Sequence, residues 1–185
     1  ISGISTAAAE LSSTLEVIST GYILIDGGKE TAVQRVSKTL PIPQNDIEKI
    51  KNTALAAQFM GKDLVYLEAG SGAAKVAGPK IIKLVSGAID IPLIVGGGIK
   101  TKEQLEKAYK NGADVIKITA TGGVLSVAKS GDNPQFTIEE IKAITETAKD
   151  YGMHVAAHAH GDAGMQRAVI GGVKTIEHGT YMSDK

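Results

Sequence analysis

The feature that most constrains this chain is a series of short segments, most of them apolar, each ending in glycine or a polar residue. Tyr22-Ile23-Leu24-Ile25 runs into Asp26-Gly27-Gly28, and Leu64-Val65-Tyr66-Leu67 runs into Glu68 and Gly70-Ser71-Gly72. Pro92-Leu93-Ile94-Val95 runs into Gly96-Gly97-Gly98, and Asp114 to Thr119 is followed by Gly122-Gly123. His154 to His158 and Lys174 to Glu177 complete the series. Apolar runs of this length without alternation read as strands buried on both faces, as in a parallel sheet.

Helical stretches separate these runs. Residues 5–17 place Ala8, Leu11 and Leu15 at helical spacing. Asn45 or Asp46 caps a helix reaching about Met60, which Gly61 stops. Further helices are predicted over Pro79–Ala88, Thr101–Lys110, Thr137–Tyr151 and Ala163–Ile170. Gly112 and Gly152 are left-handed stops, and Thr137 with Glu140 forms a capping box. Thr31 to Lys38 reads as an extra strand or hairpin, broken off by Pro41 and Pro43. The expectation is an α/β fold of parallel (βα) units of TIM-barrel type. About six strands would form a partial or distorted barrel, or one completed between chains.

At 185 residues the chain is one domain by size and short for a full eight-unit barrel, which takes about 250. Twenty basic and twenty acidic side chains cancel. That balance argues against nucleic acid or an anionic membrane as partner and leaves a phosphate or small anion. A second copy of the chain is a further candidate partner, since an unclosed sheet has edges to pair. No cysteine is present, so disulfides and thiolate metal sites are excluded. No apolar run approaches the ~18 residues of a membrane span, and a cytoplasmic setting is expected. Ile1 and Lys185 read as cut ends.

In parallel βα folds the chemistry lies at the carboxyl ends of strands. The first candidate group is Glu68 with the loop Gly70-Ser71-Gly72, together with Gly96-Gly97-Gly98 before the next helix. Glycine loops let backbone N–H groups approach an anion, and a helix N-terminus adds a favourable dipole. These loops form either one phosphate cradle or merely tight βα turns. Glu68 is placed to accept hydrogen bonds from hydroxyls.

The second group is Lys117 within one strand, His158 at the end of the next and His178 at the end of the last. Imidazoles converging from neighbouring strands can hold a divalent metal such as zinc, and a carbamylated lysine can bridge two. The alternative is that each is a hydrogen-bonded core or rim residue. His154 precedes its strand and belongs at the opposite end. His160 points to the same side as His158 if the strand continues. No catalytic residue is assigned.

From Ile1 to about Asp114 the chain resembles the second half of the geranylgeranylglyceryl phosphate synthases. The resemblance rests on Gly21-Tyr22-Ile23-Leu24, Pro41-Ile42-Pro43, Leu64 through Ala73, and Pro92 through Ile99. It implies prenyl transfer to sn-glycerol 1-phosphate with Mg²⁺. Glycerol hydroxyls would lie near Tyr66 and Glu68, and phosphate near Gly70, Ser71, Gly97 and Gly98. That family's amino-terminal half, with its metal-binding aspartate, has no counterpart here.

From Gly112 to Lys185 the chain resembles imidazolonepropionase-like and prolidase-like amidohydrolases. This rests on Ala113 through Ile118, Ala120-Thr121-Gly122-Gly123-Val124, Gln135-Phe136-Thr137, Val155 through Gly161, and Ile176-Glu177-His178-Gly179. It implies metal ligation by Lys117, His158 and His178. That family's opening His-x-His pair and closing aspartate are missing. The two resemblances meet near 114–119, dividing one domain of 1–185 into a prenyltransferase-like half and an amidohydrolase-like part. The expectation from this join is an engineered chimeric barrel scaffold with no native catalysis and weak phosphate binding at most. The alternatives are a residual metal-dependent hydrolase and a glycerol-1-phosphate-binding, prenyltransferase-like protein.

Overall fold

The computed structural model describes residues 16–122 and 131–183. Among them, six parallel strands form one sheet in chain order, a half-barrel with helices on its outer face. The order is β1 (Thr20–Leu24), α1 (Ala32–Ser37), α2 (Ile47–Phe59), β2 (Leu64–Glu68), α3 (Pro79–Ser86), β3 (Leu93–Gly96), α4 (Lys102–Lys110), β4 (Val115–Thr119), α5 (Ile138–Asp150), β5 (His154–Ala159), α6 (Asp162–Ile170) and β6 (Thr175–His178). The helix expected over 5–17 falls largely outside the described residues, as do Gly123 and Val124.

Helix boundaries follow the capping chemistry. Asp46 accepts the Lys49 N–H, and both Thr101 with Gln104 and Thr137 with Glu140 form capping boxes. Gly61, Gly112 and Gly152 each have positive φ just beyond a helix. One expectation fails. Thr31 to Lys38 is the N-cap and body of α1, not a strand or hairpin: the Thr31 hydroxyl accepts from the Gln34 N–H, and Lys38 ends the helix in the left-handed region. The strand-like signal came from Val33 and Val36, which are exposed. β-branched residues lower helix propensity only slightly, and a side-chain cap overrides it.

Register divides the strands into two faces. Residues paired in a parallel sheet point the same way. Val65, Leu67, Leu93, Val95, Ile116, Ile118, Val155 and Ala157 face the helices and form the core. The opposite, concave face carries Tyr22, Tyr66, Glu68, Lys117, Thr119, His158 and Glu177. These polar side chains are thus gathered inside the half-barrel by parity. The sheet is continuous through 114–119, with β4 paired to β3 at Ile94↔Val115 and to β5 at Thr119↔His158. No helix among the described residues is long and apolar enough to cross a membrane.

Candidate functional site

The carboxyl ends of β2 and β3 form the first part of the site. The last residue of β2, Glu68, is buried, at 9% exposure. One carboxylate oxygen accepts the Gly70 N–H at 2.5 Å and the other accepts the Tyr66 hydroxyl. Burial pushes the Glu68 pKa up; the Gly70 N–H and the Lys117 charge oppose that rise. Tyr66 in turn meets Tyr22 edge-on at 5.3 Å, and the Lys117 ammonium lies 5.5 Å from the Tyr66 ring centre. Burial and the Glu68 charge together push the Tyr22 phenol pKa well up.

Two glycines make this packing feasible. A Cβ on Gly96 would lie 2.7 Å from the Tyr66 hydroxyl, so only glycine lets that ring lie across β3. Gly97 has φ +87, and a Cβ there would lie 2.6 Å from the Glu68 carboxylate. Gly97 therefore sits directly against Glu68.

Ser71, Gly97, Gly98 and Lys117 line one cleft of about 580 Å³. Tyr66, Glu68 and Gly70 are buried beside these residues and do not line the cleft themselves. Three cationic residues that the sequence reading passed over also line the cleft: Lys29, Arg35 and Lys100. Lys29 follows the end of β1, so the strand-end rule could have found it. Its ammonium would lie 3.1 Å from a Cβ on Gly72. Arg35 lies on α1 and pairs with Glu30 at 3.8 Å; its approach to the cleft was hidden by reading that helix as a strand. The α4 N-terminus is closed by its own capping box, so anion binding here falls to the loop amides and the cations.

The second part lies at the ends of β5 and β6. His158, His160 and His178 bring ligand nitrogens within 4.8 Å of one another. Their ring centres are 4.6–4.8 Å apart. His158 and His178 were expected here together with Lys117. Lys117 instead makes an ion pair with Glu177 at 2.5 Å, and His160 completes the group. Burial and the neighbouring His178, Lys117 and His160 charges push the His158 pKa down to about 4. The His178 pKa is lowered by burial, His160 and Lys117. His154 opens β5 at the other end of the sheet, as expected.

Comparison with known proteins corrects the reading of ancestry. The chain is 58% identical over 108 residues to the geranylgeranylglyceryl phosphate synthase of Zunongwangia profunda, covering 58% of this chain and 46% of that protein. It is 41% identical over 128 residues to the enzyme of the same name from Pyrococcus abyssi, covering 69% and 49%. Among solved structures it is similar to (S)-3-O-geranylgeranylglyceryl phosphate synthase from Thermoplasma acidophilum in complex with sn-glycerol-1-phosphate. That match has a TM-score of 0.64, 34% identity and coverage of 80% of this chain and 55% of the other. The chain spans about half the length of the curated relatives it matches.

These matches overturn the engineered, inactive chimera and its expected join near 114–119. The PcrB family model covers residues 3–146, passing through that join and on along α5. The relatives are natural synthases, so no designed origin is needed to explain the chain. The apparent change of character had a physical source. Ile116 and Ile118 inward with Lys117 and Thr119 on the concave side is a pattern any βα barrel strand can carry, so it does not mark ancestry. With the family pattern unbroken over residues 3–146, the chain belongs to the PcrB family.

Proposed function

We propose that the β2–β3 rim binds the glycerol phosphate acceptor of a prenyl transfer, with Tyr66 and Glu68 taking the glycerol hydroxyls. The observation that carries this is the buried Glu68 carboxylate packed beside Gly97, in the middle of the Gly96–Gly98 loop. A hydroxyl acceptor and an anion cradle then lie a few ångströms apart, as a short polyol phosphate requires. The phosphate would rest on Gly97, Gly98 and Ser71, with Lys29 and Lys100 supplying charge. Gly70 orients Glu68, because its N–H is committed to that carboxylate. Glu68 accepts a hydrogen bond from the acceptor hydroxyl and fixes which oxygen faces the prenyl donor. The T. acidophilum structure holds sn-glycerol-1-phosphate, which supports the same ligand class here.

The family resemblance implies Mg²⁺, a hard cation that takes oxygen ligands. The ligand cluster among the described residues is all nitrogen. That histidine cluster does not suit Mg²⁺, and no step is routed through the ion.

Calorimetric titration with sn-glycerol 1-phosphate, its sn-3 enantiomer and inorganic phosphate tests the reading. The sn-1 form should bind tightest, and Glu68→Gln should weaken it about tenfold or more, the scale of a lost charged hydrogen bond. Equal affinity for all three, unaltered in Glu68→Gln, would sink the proposal.

A further inference from the structure

We infer that His158, His160 and His178 form a mononuclear site for a first-row divalent cation of the zinc type. The site is separate from the β2–β3 rim and does not use Lys117. Three observations meet at it.

The first is an orphan. The His158 Nε2 atom is buried and has no hydrogen-bond partner. Buried polar atoms are nearly always paired, and a metal ion is one partner that would satisfy a ring nitrogen lone pair. The second is orientation. His160 Nδ1 lies 2.8 Å from the Thr180 hydroxyl, which fixes the ring and leaves Nε2 for coordination. The third is a backbone departure. His178 pairs in register with Ala159, whose side chain faces the helices. Normal alternation would send His178 the same way. Its φ of +78 breaks the strand and brings its ring beside those of His158 and His160. A non-glycine residue held in this region is strained, and such strain collects at functional positions.

The donor set selects the ion. Imidazole nitrogens favour zinc, cobalt, nickel or copper over magnesium and calcium. Bonds of about 2.0–2.1 Å to a tetrahedral zinc place ligand atoms roughly 3.3 Å apart. The present spread of up to 4.8 Å closes to that by small ring rotations. Three protein ligands leave a fourth position for water or a ligand, on the side where His178 is exposed. Glu177, paired in register with His158, engages the Lys117 Nζ in an ion pair at 2.5 Å. That contact occupies the lysine nitrogen, and the three histidines supply the ligands without it.

The test uses untagged, chelator-treated protein titrated with Co²⁺ and followed by visible absorbance, with Zn²⁺ competition. One equivalent should bind with the intense bands of a tetrahedral site. His160→Ala and His178→Ala should each weaken binding at least tenfold, and Thr180→Val about tenfold through the freed His160 ring. Lys117→Met should bind at least as tightly as the parent, and His154→Ala should match it. Circular dichroism checks folding, and His160→Gln replaces any alanine variant that fails to fold. Absence of the Co²⁺ bands in the folded parent overturns the inference. So does a loss in Lys117→Met equal to that in His160→Ala, which would make the lysine a ligand.

Discussion

The two ends of the concave face occupy equivalent places in the fold and are built in opposite ways. At β2 and β3 the central carboxylate is paired and enclosed: Glu68 holds Tyr66 and Gly70, and Gly97 leaves no space beside it. At β5 and β6 a ring nitrogen is buried without a partner, a histidine sits in the left-handed region, and the last strand is largely open. The first rim gains rigidity from its packing and presents acceptors and amides. The second gives up local stability and presents lone pairs. One scaffold can therefore host an anion cradle and a cation site at once, because strand ends are positioned by the sheet and their chemistry is free to differ.

The strongest way to break this contrast is Gly97→Ala. The new methyl would meet Glu68 and the Gly70 amide at 2.6 Å on a backbone with φ +87. Strain and overpacking together should cost about 3 kcal/mol or more, seen as an early urea midpoint. A midpoint within error of the parent would show that the first rim is not tightly packed.

A middle-sized effect separates the rims by pH. The raised Glu68 pKa means its contribution to stability is full at low pH and is lost as pH rises through the folded-state value. Glu68→Gln should therefore gain on the parent above that pH and lose the advantage below it. The depressed His158 pKa has the reverse sign: stability is present above about 6.5 and falls as pH drops toward about 4. His158→Asn should flatten that acid limb. Urea denaturation of both variants across pH 4–8 measures the two slopes, and slopes of the same sign would refute the contrast.

The smallest effect is His178→Gly. Glycine relieves the left-handed backbone but adds unfolded-state entropy, so stability should stay within about 1 kcal/mol of the parent. A large loss would mean that His178 is a packing residue and would leave the second rim without its stated design.

Much of this was legible along the chain, because it rests on local chemistry. The βα alternation, the caps at Asp46, Thr101 and Thr137, and the stops at Gly112 and Gly152 are each set within a few residues. Glu68, Ser71, Gly97 and Gly98 could be placed at strand ends because strand ends are visible in sequence. Arg35 was missed because a six-residue helix containing two valines resembles a strand until its cap is seen. Lys117 was assigned to the histidines because nothing local reveals Glu177 across two strands. The break in ancestry at 114–119 was read from short motifs between Ala113 and Gly179, and the family match over residues 3–146 runs through it.

The sequence by itself determined the parallel strand–helix order and the strand ends at which chemistry would appear, since periodicity and capping are short-range. Only the tertiary structure decided which side chains meet. Register places His158 beside Glu177, a left-handed residue turns His178 toward His160, and Gly96 admits Tyr66 over β3. Such contacts join residues far apart in the chain, and the free energy that selects them comes from packing the whole sheet.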